Sequence, residues 1–182
     1  MHAGRTRRTA LVVLLTAAAS GCYHGPVRTT DRDVSFDATS GDALVVFALT
    51  PNMVVTLTAG TDDGVSWHCE RGQTVRVRPQ DGFVVARLRP RTGKHRYAIR
   101  MLSTDASGLT AWHTPAQLLA FDAPPGQVTY LGAWRVEFPG GTLPEIVADP
   151  DVTYPQAEAF MAANFANVRA PVVTSRMDWL YR

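Results

Sequence analysis

The chain has 182 residues, with 18 lysine or arginine and 16 aspartate or glutamate residues, and a formal net charge of +2. Residues 1–21 hold three of the basic residues and none of the acidic ones, so the rest of the chain, with 15 basic and 16 acidic residues, is close to neutral. This balance gives no electrostatic basis for binding nucleic acid, and no stretch after residue 21 has the roughly 20 apolar residues of a membrane-spanning helix.

The N terminus has the composition of an export signal. Arg5, Arg7 and Arg8 precede a segment without charge, residues 10–19. Such a segment has the length of a signal-peptide core and about half the length of a spanning helix. We therefore predict that residues 1–21 are a cleaved signal peptide. The Arg7-Arg8 pair leaves twin-arginine export open as an alternative to the general secretory route.

Residues 19–22, Ala-Ser-Gly-Cys, resemble the lipobox of bacterial lipoproteins, with alanine where the family prefers leucine. The resemblance implies that Cys22 is the first residue of the mature protein and carries a diacylglycerol, which makes the membrane a partner and the covalent lipid the only expected cofactor. Tyr23 implies an outer-membrane location facing the periplasm. Two alternatives stay open, namely an ordinary secretory signal that ends in a chance cysteine, and a disulfide between Cys22 and Cys69, the only other cysteine.

Residues 22–41 contain many polar residues and turn formers, with little apolar pattern apart from Val34 and Phe36. This composition predicts a flexible tether that is extended and poorly packed. Residues 42–182 are long enough for a single domain with a sizeable hydrophobic core.

The domain begins with strand patterns. Residues 43–49 form a nearly continuous apolar run, which predicts a strand that is buried on both faces. Residues 74–78 alternate, so Arg76 and Arg78 are expected to be more exposed than the valines beside them. Further strands are predicted at 53–59, 83–89, 96–101 and 117–121, with a turn at 60–64.

Residues 127–138 give the longest alternating pattern, with the larger apolar side chains at even positions. Tyr130, Trp134 and Val136 are therefore predicted to lie in the core. Gly132, in the middle of this strand, predicts a β-bulge or a close backbone approach. Several strands at short intervals, with glycine and proline between them, predict a mainly β fold, an antiparallel β-sandwich.

One C-terminal α-helix is predicted near 154–168. Thr153 and Gln156 have the spacing of a capping box, and Pro155 suits the first helical turn. The apolar stripe, which we expect to cover an open face of the sandwich, comprises Ala157, Phe160, Met161, Phe165 and Val168. The tail, residues 171–182, adds a final strand or simply packs on the domain.

The segment 121–132, Phe-Asp-Ala-Pro-Pro-Gly-Gln-Val-Thr-Tyr-Leu-Gly, is similar to a segment of small uncharacterised bacterial lipoproteins. Those proteins resemble transthyretin-like or carboxypeptidase-regulatory-like sandwiches, and the likeness covers about residues 42–168. It implies the sandwich fold and a non-catalytic role in the cell envelope. It assigns no functional residue to this chain.

Residues 67–70, Trp-His-Cys-Glu, form the densest group of reactive side chains. They could bind a soft metal or present a reactive thiol. Successive residues of a strand point to opposite faces, so His68 and Cys69 could share a metal only in a loop. We favour a small buried Cys69 beside an exposed His68, and predict no metal site.

Counting residues also permits a nucleophile–histidine–acid triad, for which the candidates are Ser66, His68, His95 and His113. The chain has no Gly-x-Ser-x-Gly elbow, so a hydrolase is the less favoured alternative and no catalytic residue is assigned. The acidic pairs at 62–63 and 149–151 lack the spacing of a calcium loop, and turn formation or helix capping explains them better.

Trp112 and His113 lie in residues 108–115, a stretch bounded by glycine and proline. A tryptophan in such a loop could anchor a partner or stack on a sugar, and it could equally fold back as a lid over the core. These two residues are the candidates for recognition.

Together these features predict a lipid-anchored envelope protein, facing the periplasm, that binds or assembles with an envelope protein and has no chemistry of its own. The alternatives are a lipoprotein that binds carbohydrate or another small ligand and, less favoured, a small periplasmic hydrolase.

Overall fold

The alternating segments form two β-sheets that face each other, with one helix on the outer face of the smaller sheet. The computed structural model describes residues 26–63, 66–90, 95–104, 111–113, 118–139 and 145–180, without the side chains of Arg71 and 111–113. The strands are β1 Val27–Arg28, β2 Ala43–Thr50, β3 Val54–Asp62, β4 Trp67–Val77, β5 Phe83–Leu88, β6 Arg96–Ser103, β7 Ala111–His113, β8 Leu118–Asp122, β9 Val128–Glu137, β10 Glu145–Ala148, β11 Val172–Thr174 and β12 Asp178–Leu180, and the helix is α1 Tyr154–Asn164.

The large sheet has the strand order β1-β4-β3-β6-β8-β12, with β7 also paired to β6. The small sheet has the order β10-β9-β2-β5, with β11 also paired to β9. Among the described strands, the pairings are antiparallel except for β1 with β4, β2 with β9 and β11 with β9. The predicted mainly β sandwich with one C-terminal helix is confirmed, and three parallel pairs are added to it.

Strand β2 lies at the centre of the small sheet and is buried on both faces, as predicted. Val45 and Phe47 face the large sheet and belong to the core between the two sheets. Leu44 and Val46 face outward and belong to a second cluster beneath α1. Because side chains alternate across a strand, a run without polar residues is what a strand covered on both faces requires.

The predicted bulge at Gly132 is confirmed. Gly132 has a φ of +92°, and the pairing of β9 with β2 shifts its register around it. The extra residue reverses the alternation, so Tyr130 faces α1 whereas Trp134 and Val136 face the inter-sheet core. Tyr130 and Val136 are buried and Trp134 is partly buried. The unbroken alternation had implied that all three share one face, and in the structure they do not.

The expectation that Arg76 and Arg78 are more exposed than the neighbouring valines was right for Arg78 and wrong for Arg76. Arg78 is exposed beside a buried Val77. Arg76 is only 5% exposed, less than the partly buried Val75. Its backbone lies between Val27 of β1 and a residue of β3, so β4 is not an edge strand there. The sequence could not reveal that β4 pairs with β1, because β1 has only two residues and no pattern of its own.

Residues 26–41, which we call the N-terminal strap, are not the loosely packed tether that the composition predicted. The strap first pairs with the large sheet through β1. The Thr30 hydroxyl then donates a hydrogen bond of 2.6 Å to the carbonyl of Val85, on β5 of the small sheet. Val34 and Phe36 end in the cluster beneath α1, with 8% and 2% of their surface exposed. The strap therefore crosses from one sheet to the outer face of the other.

The strap is joined there to the residues after α1. The Phe36 N–H donates to the carbonyl of Asn167 at 3.3 Å, and the Arg169 N–H donates to the carbonyl of Phe36 at 2.8 Å. At Gly126, with a φ of +72°, a Cβ atom would overlap the carbonyl oxygen of Ala38, so glycine is needed for the strap to pass. The segment thus has the backbone bonds and close packing of a structural element.

The helix forms where predicted but ends at Asn164, four residues early. The Thr153 N–H donates to Gln156 Oε1 at 2.6 Å, which is one half of the predicted capping box. The Asn164 side chain donates to the carbonyl of Phe160 at 2.9 Å, where the helix ends. The predicted apolar stripe covers the outer face of the small sheet. The described residues include no helix with the length and apolar character to cross a bilayer.

The tail contributes two strands, β11 on the small sheet and β12 on the large sheet. Arg96 of β6 forms ion pairs with Asp122 of β8 at 3.3 Å and with Asp178 of β12 at 2.8 Å. Trp179 packs edge-on against Trp134, with ring centroids 6.2 Å apart. Of the two alternatives left open for the tail, a final strand and simple packing, the structure shows strand formation, with two strands.

Candidate functional site

The predicted lipid attachment residue, Cys22, lies outside the described residues, and so do residues 1–21. What the structure describes is the point where the chain joins the fold, at Val27 in β1. Val27 pairs with Arg76 and Arg28 pairs with Val77, and the Arg78 N–H donates to the carbonyl of Arg28 at 3.3 Å. This edge of the large sheet is therefore the first part of the domain after Cys22.

Two exposed arginine side chains, Arg28 and Arg78, lie at this edge, which we call the β1 edge. Further along the strap, Arg32 forms an ion pair of 3.0 Å with Asp81, and both side chains are more than half exposed. The β1 edge thus presents two exposed arginines close in sequence to Cys22, with the exposed acidic residues Asp31 and Asp33 further along the strap. Sequence reasoning missed it because Arg28 and Arg78 are 50 positions apart and are brought together only by the pairing of β1 with β4.

Residues 67–70 lie in strand β4, not in a loop. Trp67 is 6% exposed, and its indole covers Gly60, where a Cβ atom would come within 2.6 Å of the ring. Cys69 is partly buried on the same face, and His68 is exposed. His68 is therefore exposed as expected, whereas Cys69, which was expected to be buried, is only partly buried. Strand β3 continues to Asp62, through the first three residues of the predicted turn at 60–64, because these residues still pair with β4.

A serine, a histidine and an aspartate do come together at the β3–β4 turn. His68 Nε2 lies 2.7 Å from Asp63 Oδ2 and 3.1 Å from Ser66 Oγ. In a catalytic triad the imidazole uses one nitrogen for the acid and the other for the nucleophile. Here both partners meet Nε2, so a proton shared with Asp63 prevents that nitrogen from accepting the proton of Ser66. This geometry does not make His68 a general base for Ser66.

The same cluster has a structural explanation. Asp63 Oδ1 accepts a hydrogen bond of 2.7 Å from the Ser66 N–H, which closes the turn. His68 and Asp63 have side-chain exposures of 60% and 52%, so water screens their interaction. The acidic pair at 149–151 is similar, because the Asp151 N–H donates to Asp149 Oδ1 at 3.2 Å. Turn formation was the predicted role of both acidic pairs.

Of the remaining histidine candidates, His95 precedes β6, where its carbonyl accepts the N–H of Ala123 at 2.8 Å, and the side chain of His113 lies outside the described atoms. Within the described part of the chain, no three His, Cys, Asp or Glu side chains are grouped so that they could hold a metal ion.

The recognition candidates Trp112 and His113 belong to β7, a short strand paired with β6, so they lie in a strand instead of the expected loop. Trp112 is opposite Leu102 and His113 is opposite Met101 in the antiparallel register. Their side chains lie outside the described atoms. Their role in recognition stays a prediction.

A cavity of about 210 Å³ opens where β9 and β11 meet the end of β8. Its lining combines the polar side chains of Asp122, Gln127, Thr129 and Thr174 with the apolar ones of Pro124 and Val173. Thr129 is 2% exposed, and its hydroxyl has no hydrogen-bond partner among the described residues. Pockets for small organic ligands usually have volumes of roughly 300 Å³ or more. This cavity is therefore better suited to a few water molecules than to a sugar chain.

No family model, curated protein or solved structure matches the chain. The resemblance to transthyretin-like lipoproteins therefore stays a prediction, and function must be argued from the residues themselves.

One buried titratable group is strongly affected by its surroundings. Tyr97, on β6, is 2% exposed in the inter-sheet core. Its burial, together with the negative charges of Glu70 and Asp42, raises the pKa of Tyr97 to about 12. Its hydroxyl has no hydrogen-bond partner within the described residues. Tyr97 is thus neutral at physiological pH and belongs to the packing of the domain.

Proposed function

We propose that the chain is a cell-envelope lipoprotein, anchored by a diacylglycerol on Cys22, whose domain faces the periplasm and acts by binding or assembly. The observation that carries the proposal is the sequence Ala-Ser-Gly-Cys at 19–22, directly after a charge-free segment and three arginines. Two or more acyl chains hold a protein stably on a membrane, because each buried methylene contributes about 0.8 kcal/mol.

The fold is compatible with cleavage before Cys22. The first described strand begins at Val27, so removal of residues 1–21 would take away none of the described strands or core residues. The domain that would remain keeps the strap, both sheets and α1.

A binding role is favoured over a hydrolytic one by the Asp63–Ser66–His68 cluster. It is the group of described residues that most resembles catalytic machinery, and both of its contacts to the imidazole use Nε2. Short edge strands such as β11, where Val173 is 42% exposed, offer backbone groups to which a partner protein can add a strand.

The test is the mass of the mature protein extracted from membranes of cells that express the full chain. We expect an N-terminal peptide that begins at Cys22 and carries acyl chains. Cys22→Ser should abolish acylation and membrane attachment, and Cys69→Ser, the matched cysteine control, should leave both unchanged. An unacylated Cys22, or a Cys22–Cys69 disulfide, would contradict the proposal.

The partner class is tested by crosslinking in intact cells, with the Cys22→Ser variant as control. We expect an envelope protein that is captured only by the anchored form. Capture of none, with the protein confirmed at the membrane, would contradict the assembly role and favour the binding of a small ligand.

A further inference from the structure

The β1 edge bears on how the domain sits on a membrane, and the following inference rests on the proposed lipid anchor at Cys22. Five residue steps separate Cys22 from Val27. A fully extended chain spans at most about 3.6 Å per residue, so the two Cα atoms can be no more than about 18 Å apart. Because the strap beyond Val27 is packed on the domain, it supplies no further length.

The position of Val27 then decides which side of the domain is near the bilayer. Strand β1 forms one edge of the large sheet, and β12 forms the opposite edge. The strap passes from β1 to β5, the edge strand of the small sheet, through the Thr30–Val85 hydrogen bond. The edges formed by β1 and β5 therefore lie on one side of the sandwich, and β11 and β12 lie away from it.

The β1 edge offers two exposed arginines to an anionic surface. Arg28 is the first arginine, lysine or acidic residue after Cys22, and the exposed Arg78 follows Val77, its partner in β4. Asp31 and Asp33, which are also exposed, follow three and five residues after Arg28, and Asp81 is paired with Arg32. An arginine close to an anionic membrane strengthens association about fivefold.

We propose that the β1 edge docks on the membrane that holds the lipid anchor, with Arg28 and Arg78 against the phosphate groups of anionic phospholipids. The domain then lies directly on the bilayer with a fixed side toward it. Its opposite side, with β11 and β12, is the side presented to the periplasm.

The experiment uses the acylated mature protein in vesicles of phosphatidylethanolamine and phosphatidylglycerol, with an energy-transfer acceptor on the lipid headgroups. A donor is placed at Thr29→Cys, beside the β1 edge, or at Thr174→Cys on β11, each in the Cys69→Ser background. Both threonines are exposed. Three strand spacings of about 4.8 Å separate β5 from β11, so we expect the Thr29 donor to lie about 14 Å nearer the lipid.

The arginines are tested in the same vesicles. We expect Arg28→Gln with Arg78→Gln to reduce the difference between the two donors. The matched pair Arg169→Gln with Arg176→Gln, also exposed but away from the β1 edge, should preserve it. Equal effects of the two pairs would overturn the assignment to Arg28 and Arg78.

The two proposals fail in different ways. If mass spectrometry finds Cys22 unacylated, the proposed function fails before any vesicle is made. If Cys22 is acylated and both donors transfer energy equally, the lipoprotein assignment stands and the docked orientation is wrong.

Discussion

The two faces of the small sheet are covered in different ways. The face toward the large sheet meets side chains of regular strands, such as Val55 and Leu57 of β3. The outer face meets α1 and the N-terminal strap, two segments from opposite ends of the domain that join where Phe36 bridges to Val168. The outer face of the small sheet is thus covered by the strap together with α1, and the strap is a structural element of the domain.

The largest expected effect comes from the strap. Phe36→Ala should lower the free energy of unfolding by about 3–5 kcal/mol, because it empties a site where the ring is 2% exposed. Denaturant unfolding measures the change, and Ser35→Ala, at an exposed neighbouring position, is the control. A loss below about 0.5 kcal/mol would mean that residues 26–41 are a tether after all.

A glycine pair tests the close approach of the strap to the turn before β9. Gly126→Ala should cost about 2 kcal/mol, because alanine at positive φ is strained and its Cβ would overlap Ala38. Gly41→Ala should be nearly neutral, since no atom lies within 4 Å of the added Cβ. Equal melting temperatures for the two variants would be inconsistent with the described path of the strap.

The inter-sheet core should respond to alkaline pH through Tyr97. Its folded pKa of about 12 exceeds the ordinary value of 10, so the folded state keeps its proton more strongly than the unfolded state. Its contribution is complete below pH 10 and is lost as the pH rises to 12, by an amount on the order of 2 kcal/mol. Tyr97→Phe should lack this loss when unfolding is measured across that range. Parallel pH profiles for both proteins would contradict the buried position.

The smallest effect is expected at the crossing between the sheets. Thr30→Val removes the hydroxyl that donates to the Val85 carbonyl and should cost about 1 kcal/mol. Thr29→Val, at the exposed neighbour, is the control and should leave the melting temperature unchanged. A similar loss in both variants would indicate a general change in β propensity and not the loss of this bond.

Much of the sandwich could be predicted because its strands carry local patterns. The run at 43–49, the bulge at Gly132 and the apolar stripe of α1 are all visible within a few residues of sequence. The strap could not be predicted in this way. Its two buried side chains, Val34 and Phe36, have no repeating pattern around them. Its other attachments, such as the Thr30 hydroxyl on Val85 and the backbone bonds of Phe36, join residues that are far apart in the sequence.

The candidate site shows the same division. The proposed anchor, Cys22, is predicted from four consecutive residues, whereas the β1 edge exists only because β1 pairs with β4 over a long range, which places Arg28 opposite Val77, the residue before Arg78. Ser66 and His68 could be named from the sequence, but their shared use of Nε2 depends on the geometry of one turn. The distances from His68 Nε2 to Asp63 and Ser66 determine whether His68 can act as a base, and they cannot be predicted from the presence of these residues in the sequence.

The central claim, that the chain becomes part of the domain within a few residues of the proposed anchor, is tested most directly by amide hydrogen exchange in the mature protein. The Phe36 N–H, bonded to Asn167, should exchange slowly, within about tenfold of Leu44 in β2. Exchange of the Phe36 amide at the rate of an unfolded chain, with Leu44 still protected, would contradict the account.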